Sequence, residues 1–250
     1  MSLHDRVALV TGAGRGIGRA IADRLADGGC RVVVADVDGA SAEQAAAEIG
    51  VAYETETLGV GANVADATSV KQMVEAAVAA FGSVDILVNN AGIIHRGDST
   101  DMAFADWRRV LSVNLDSVWL LSQAAGRRMV AQGAGKIVIV SSVLGTQGGL
   151  RVPAYAASKH AVIGLTRALC NEWAAHGVNV NAIAPGYTAT DNTQALRDDP
   201  ERSRALLARI PAGRFAEPSE IAGAAVFLSS DAAAYCHGSV VTVDGGWLAR

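Results

Sequence analysis

An apolar run at residues 7–10 (Val-Ala-Leu-Val) leads directly into Thr11-Gly-Ala-Gly-Arg-Gly-Ile-Gly18, and an amphipathic stretch follows at 19–26. A buried strand, a glycine turn and a helix in that order open a β-α-β unit, which needs a second parallel strand beside the first. Glycines let the turn be tight and let the backbone approach a ligand. The first amides of the helix then face outward as an anion site. The strict G-x-G-x-x-G spacing is not met, because its third glycine would fall on Ile17 or Arg19. The spacing present is Gly-x-x-x-Gly-x-Gly, at Gly12, Gly16 and Gly18.

The rest of the chain continues the alternation. Apolar runs predict strands at 31–36, 58–64, 84–89, 136–141, 178–184 and 240–243. Between them, helical patterns occupy 41–49, 69–81, 104–113, 115–129, 155–175 and 219–228, the last capped by Ser219 after Pro218. Gly28-Gly29 ends the first helix. Pro185-Gly186 opens a polar stretch, to about residue 210, with no assigned element. The expectation is an α/β fold of the Rossmann type, a doubly wound, seven-stranded parallel sheet with helices on both faces. Half of the residues are hydrophobic, few are aromatic, and Ala, Val and Gly dominate, as that packing requires. Residues 1–250 are read as one domain, with a dinucleotide-binding first half and a substrate-determining loop around 186–215.

Composition excludes several function classes. The net charge is −4, and Arg108-Arg109 and Arg127-Arg128 are isolated pairs, so nucleic acid is not an expected partner. Cys30, Cys170 and Cys236 match neither a metal-ligand spacing nor a disulfide framework, so no metal is expected and a reducing compartment fits. No signal segment or membrane-length apolar run is visible, and a cytoplasmic location is the expectation.

Several polar residues interrupt this apolar frame. Tyr155 and Lys159 are four apart in a helical pattern that Pro153 can start, so both lie on one face. A cation beside a phenol lowers its pKa from near ~10 toward that of a working acid–base. Ser142 closes the fifth strand, where open α/β sheets bind ligands. Asn114 stands mid-helix, where it either hydrogen-bonds locally or opens the helix to hold a water. Asn89-Asn90-Ala91-Gly92 lets the backbone approach a ligand at the end of the fourth strand. Asp36 ends the second strand, placed to accept from ribose hydroxyls and to repel a 2′-phosphate. That favours NAD over NADP, although Arg15 in the glycine turn is a cation suited to the phosphate.

Together, the glycine turn, Asn89-Asn-Ala-Gly92, Asn114, Ser142, Tyr155-x-x-x-Lys159 and Pro185-Gly186 resemble, in order and spacing, the short-chain dehydrogenase/reductase family from Val7 onward. One departure is Asn63-Val64, where many members carry Asp before the hydrophobic residue that flanks adenine. The resemblance implies that Tyr155 is the general acid–base and that Lys159 lowers its pKa and binds the nicotinamide ribose. It implies that Ser142 holds the substrate oxygen and that Asn114 holds a relay water. Gly12, Arg15, Gly16, Ile17 and Gly18 would form the phosphate turn, with Asn90, Ala91 and Gly92 facing it. Pro185, Gly186, Thr188 and Thr190 would complete the cofactor site. A homotetramer is also implied, with Trp119, Leu120, Val162 and Leu165 as candidate contacts between subunits.

Segments such as Gln147-Gly-Gly-Leu-Arg-Val-Pro153 and Asn192-Thr-Gln-Ala-Leu-Arg197 are similar to members of the family that oxidise a secondary hydroxyl of an acidic sugar with NAD. The expected substrate is therefore a small sugar acid. Arg151 is the first candidate for its carboxylate and Arg96 the second, with Gln147 and Asn192 on its hydroxyls. A 3-oxoacyl thioester reductase using NADPH, supported by Arg15, is the alternative. A dinucleotide-binding regulator without catalysis comes third.

Overall fold

The computed structural model describes residues 3–250. Seven parallel strands form one sheet in the order β3-β2-β1-β4-β5-β6-β7. They are β1 Val7–Thr11, β2 Arg31–Asp36, β3 Thr57–Gly61, β4 Ile86–Asn89, β5 Gly135–Val140, β6 Val178–Pro185 and β7 Val240–Val243. The strand order reverses beside β1, which leaves a crevice between the carboxyl ends of β1 and β4.

Strand periodicity assigns the two faces. Ala8 and Val10 point into one apolar layer and Val7 and Leu9 into the other. The first layer is closed by α1 (Gly16–Asp27), α2 (Gly39–Tyr53) and α9 (Pro218–Ser229), through residues such as Ile21, Ile49 and Leu228. The second is closed by α3 (Ala67–Phe81), α5 (Ser117–Gln132) and α6 (Pro153–Trp173), through Met73, Leu121 and Val162. Val162 is completely buried in that layer, so it faces its own core rather than a neighbouring subunit. Leu120 and Leu165 pack on the same layer. Trp119, with 44% of its surface exposed, is the one of the four on the outside.

Three local expectations are corrected. β3 stops at Gly61 rather than running to residue 64: Ala62 N makes the last ladder bond to β2, on Asp36 O (2.7 Å), and the chain then turns where the Asn63 side chain accepts from Ala65 N (3.0 Å). α9 is capped by Glu217, not Ser219, since Glu217 and Glu220 form a reciprocal capping box with Pro218 in the first turn. The polar stretch after Gly186 holds α7 (Asp191–Arg197) and α8 (Pro200–Leu207). Both are short, and their starts are set by side chains: a Thr190–Thr193 box for α7 and the Asp199 carboxylate for α8. Between α4 (Phe104–Leu111) and α5 the helix widens into a π-turn over Ser112–Asp116, with Asn114 at its centre.

Candidate active site

The glycine turn is locked to the end of β4. Asn90 Nδ2 donates to Thr11 O (2.9 Å) and Gly12 O (3.0 Å), while the Thr11 hydroxyl accepts from the amides of Asn90 (3.1 Å) and Ala91 (3.2 Å). Gly12 has φ 61°, and a Cβ on it would lie 2.9 Å from Ala91 Cα. A Cβ on Gly18 would lie 2.2 Å from Gly12 O and 2.4 Å from Asn90 Nδ2. Gly18, which the motif placed in the phosphate turn, is buried and absent from the lining of the cleft beside it. It lets α1 press against the turn.

This turn, the ends of β2, β4, β5 and β6, and the start of α6 enclose a cleft of about 740 Å³. Every other expected cofactor residue lines it. Gly12, Arg15, Gly16 and Ile17 come from the turn, and Asp36, Asn63 and Val64 from the loops after β2 and β3. Asn90, Ala91 and Gly92 follow β4, and Pro185, Gly186, Thr188 and Thr190 follow β6. The Asp36 carboxylate is held in place by the amides of Gly14 (3.0 Å) and Asp38 (3.2 Å). A Cβ on Gly14 would crowd Asp36 Oδ2 at 3.1 Å. The left-handed glycines, the wall of backbone amides and a fixed carboxylate at the end of β2 suit a dinucleotide.

Ser142, Tyr155 and Lys159 line the inner end of the cleft. Lys159 follows from the i, i+4 spacing on α6, but its ammonium reaches across to β5. Nζ donates to Val140 O at 2.7 Å and stands 5.6 Å from the Tyr155 ring centre. Burial pushes the Lys159 ammonium down to about 8. Burial likewise pushes the Tyr155 phenol up. The Ser142 hydroxyl and then the Arg96 charge oppose that rise. The sequence pattern credited Lys159 with lowering the Tyr155 pKa, whereas in this structure Ser142 and Arg96 supply the opposing influence.

Asn114 takes the local hydrogen bonds that its mid-helix position allowed. Its Oδ1 accepts from Ile93 N (2.8 Å), and its Nδ2 donates to Ile93 O (2.9 Å) and Ser158 Oγ (3.2 Å). It is fully buried and clamps the backbone just beyond Gly92 to the start of α6.

The substrate candidates separate. Asn192 lines the cleft, and its carbonyl accepts from Arg96 Nη2 (3.0 Å). Burial lowers the Arg96 pKa, Arg202 lowers it further, and Tyr155 and Tyr187 oppose both, which places its charge among these groups. Arg151 is corrected: it pairs with Asp98 (Nε–Oδ1 3.2 Å) and has φ 61°, and like Arg96 it is absent from the cleft lining, but it lacks the tie to Asn192 that Arg96 has. Gln147 is also absent from the lining and sits half-buried in the turn after Ser142. The pattern missed Val37 and Asp191. Val37 lines the cleft with 78% of its surface exposed. An apolar residue directly after Asp36 was the available signal for it. Asp191 pairs with Arg15 (3.2 Å) across the cleft. Among the described residues no cluster could hold a metal ion, and no helix is long and apolar enough to cross a membrane.

A parallel sheet with a dinucleotide crevice, ending on Ser142, Tyr155 and Lys159, defines an alcohol–ketone oxidoreductase. The chain belongs to the short-chain dehydrogenase/reductase family: residues 12–248 match the family described as enoyl-(acyl carrier protein) reductase. It is an enzyme of that family, acting on CH–OH groups with a dinucleotide cofactor. The 2-dehydro-3-deoxy-D-gluconate 5-dehydrogenase of Dickeya dadantii is 48% identical over 100% of this chain and 98% of its own. A crystal structure from Beutenbergia cavernae, provisionally assigned as an NAD(P)-dependent gluconate 5-dehydrogenase with NADP bound at low occupancy, superposes with a TM-score of 0.95 at 52% identity, covering 100% and 99% of the two chains. A gluconate 5-dehydrogenase from Burkholderia cenocepacia in complex with NADP and tartrate gives 0.96 at 38% identity, covering 100% and 97%.

Proposed function

We propose that the enzyme oxidises a secondary hydroxyl of an acidic sugar to the ketone, reversibly, on a substrate such as 2-dehydro-3-deoxy-D-gluconate or 2-deoxy-D-gluconate. The observation that carries this is the meeting of Ser142, Tyr155 and Lys159 at one end of the cleft, with the Arg96 cation acting on Tyr155. The full-length likeness to the Dickeya enzyme supports the substrate class.

The dinucleotide, when bound, supplies the hydride acceptor. Tyr155 ionises against its burial with the help of the Ser142 hydroxyl and the Arg96 charge, its phenolate takes the hydroxyl proton as the hydride leaves carbon, and Ser142 donates to the oxygen where charge develops. Lys159 reaches the cleft beside Gly92, placed to hold a ribose hydroxyl. Arg96 is our candidate for the substrate carboxylate, since a guanidinium fork donates to both oxygens. Asn192 and Gln147 are assigned to sugar hydroxyls, and Asn114 to a relay water alongside its clamp on Ile93. NAD is the preferred cofactor in this reading, because the fixed Asp36 carboxylate faces the space of a 2′-phosphate. NADP is accepted through Arg15. A cytoplasmic homotetramer completes the reading, supported by the three free cysteines and by the exposed Trp119.

The test is a panel of sugar acids, polyols and 3-oxoacyl thioesters, followed by NADH or NADPH absorbance, with Tyr155→Phe beside the unchanged enzyme. Turnover on sugar acids with NAD, and a loss of about 10²–10⁴-fold in the variant with dinucleotide binding retained, is expected. Turnover confined to the thioesters with NADPH would establish the alternative reductase instead.

A further inference from the structure

Arg15 is the glycine-turn cation that a 2′-phosphate would use, and three carboxylates share its end of the cleft or feel its charge. Its Nη1 pairs with Asp191 Oδ2 at 3.2 Å, across the cleft, on the first residue of α7. Asp36 lines the same cleft, with its Oδ2 accepting from the amide of Gly14, next to Arg15 in the chain. Asp38 is near enough to feel the same charge: its carboxyl is held below the ordinary range first by the Ser41 hydroxyl and amide, and also by Arg15.

These carboxylates differ in what holds them. Asp36 is fixed by two backbone amides, and Asp38 caps α2 through Ser41. Asp191 has no such duty, because α7 is capped by the Thr190–Thr193 box. Among the described contacts, its ion pair is with Arg15. Both side chains are mostly exposed, at 82% and 74%, so the pair is weak and a ligand charge can compete for it.

We propose that Asp191, a residue of the substrate loop, is a positioning residue for cofactor choice: it holds Arg15 away from the adenosine end of the cleft and so strengthens discrimination against a 2′-phosphate. This rests on the dinucleotide reading of the cleft. For Arg15 to serve the phosphate, it must leave Asp191 or bring that carboxylate's repulsion with it. NAD makes no such demand. The loop that covers the substrate thereby takes part in selecting the cofactor.

The experiment is the dissociation constant of NAD and of NADP, by titration calorimetry at low ionic strength, for the unchanged enzyme, Asp191→Asn, Asp191→Glu, Arg15→Met and Asp191→Asn/Arg15→Met. Asp191→Asn should bind NADP about threefold tighter, the scale of an exposed ion pair, with a smaller change for NAD. Asp191→Glu, which keeps the charge, should restore the original ratio. In the Arg15→Met background the Asp191 substitution should no longer alter the ratio. Equal tightening of NAD and NADP, or a selective effect that persists without Arg15, would overturn the proposal, since Asp191 would then repel anions generally. Failure of the unchanged enzyme to bind either dinucleotide would overturn the cofactor reading beneath it.

Discussion

The two walls of the cleft are built differently. The wall formed by the glycine turn, the end of β4 and the start of α6 is buried and cross-braced. Thr11, Asn89 and Lys159 are nearly inaccessible, and Asn90 stitches two strand ends together. The other wall, formed by the start of α7 with α8 behind it, is mostly exposed; it is held by the Thr190–Thr193 box, the Asp199 cap, a Gln194–Asp198 hydrogen bond and the packing of Leu206 and Leu207 on the small cluster of Val143, Ile210 and Trp247. Two arginines tie α7 to the opposite side by polar contacts, Arg15 to Asp191 and Arg96 to Asn192 O. A braced wall can position reacting atoms, while a locally folded wall can differ between relatives without disturbing the sheet.

The sharpest break of this contrast is Gly18→Ala. The added methyl has nowhere to go between Gly12 O and Asn90 Nδ2, so a stability loss of about 3 kcal/mol, with loss of dinucleotide binding, is expected in thermal unfolding and titration. A variant of unchanged Tm would mean that the turn is not braced as described.

Next comes the substrate side. Arg96→Ala should cost about 1.5–3 kcal/mol in transition-state binding of a sugar acid, read from kcat/KM, and much less for a neutral polyol. Equal losses on the two substrates would show that Arg96 shapes the loop without reading charge.

Lys159 is the exception within the braced wall, a buried cation whose bond is to a carbonyl. Its folded pKa of about 8 lies below the free value of 10.5, so the unfolded chain binds the extra proton between those values. The cost of burying the charge is full below pH 8 and fades as pH rises to about 10.5. Lys159→Met should therefore abolish most activity yet be more stable than the parent at pH 7, by about 1–2 kcal/mol after the lost hydrogen bond is counted. That advantage should shrink in alkaline denaturation curves. A variant less stable at every pH would contradict this reading.

The smallest effect is expected at Arg151. With its guanidinium on Asp98 and both side chains more than half exposed, Arg151→Ala should change kcat/KM for the sugar acid by less than about twofold. A loss matching that of Arg96→Ala would return Arg151 to the substrate site.

Residues set by local rules could be read from the chain alone. The strand runs, the glycine turn, Asp36 at the end of β2 and the i, i+4 pair of Tyr155 and Lys159 all follow from periodicity and backbone geometry, which act over a few residues. Tertiary structure decided the rest. α7 and α8 are too short and polar for an apolar stripe to announce them, and their caps become visible only in place. Arg96 and Arg151 look alike in sequence. One comes to lie by Tyr155 and the other on Asp98, because side-chain partners on loops depend on which strand ends the sheet order brings together. The acid–base pair followed the same division. Spacing put Lys159 on the Tyr155 face, and the approach of β5 drew its ammonium to Val140 O, leaving Ser142 and Arg96 nearest in effect to the phenol. Local sequence chose the residues and the face they occupy. The charges they meet were chosen by packing between segments far apart in the chain, where no spacing rule reaches.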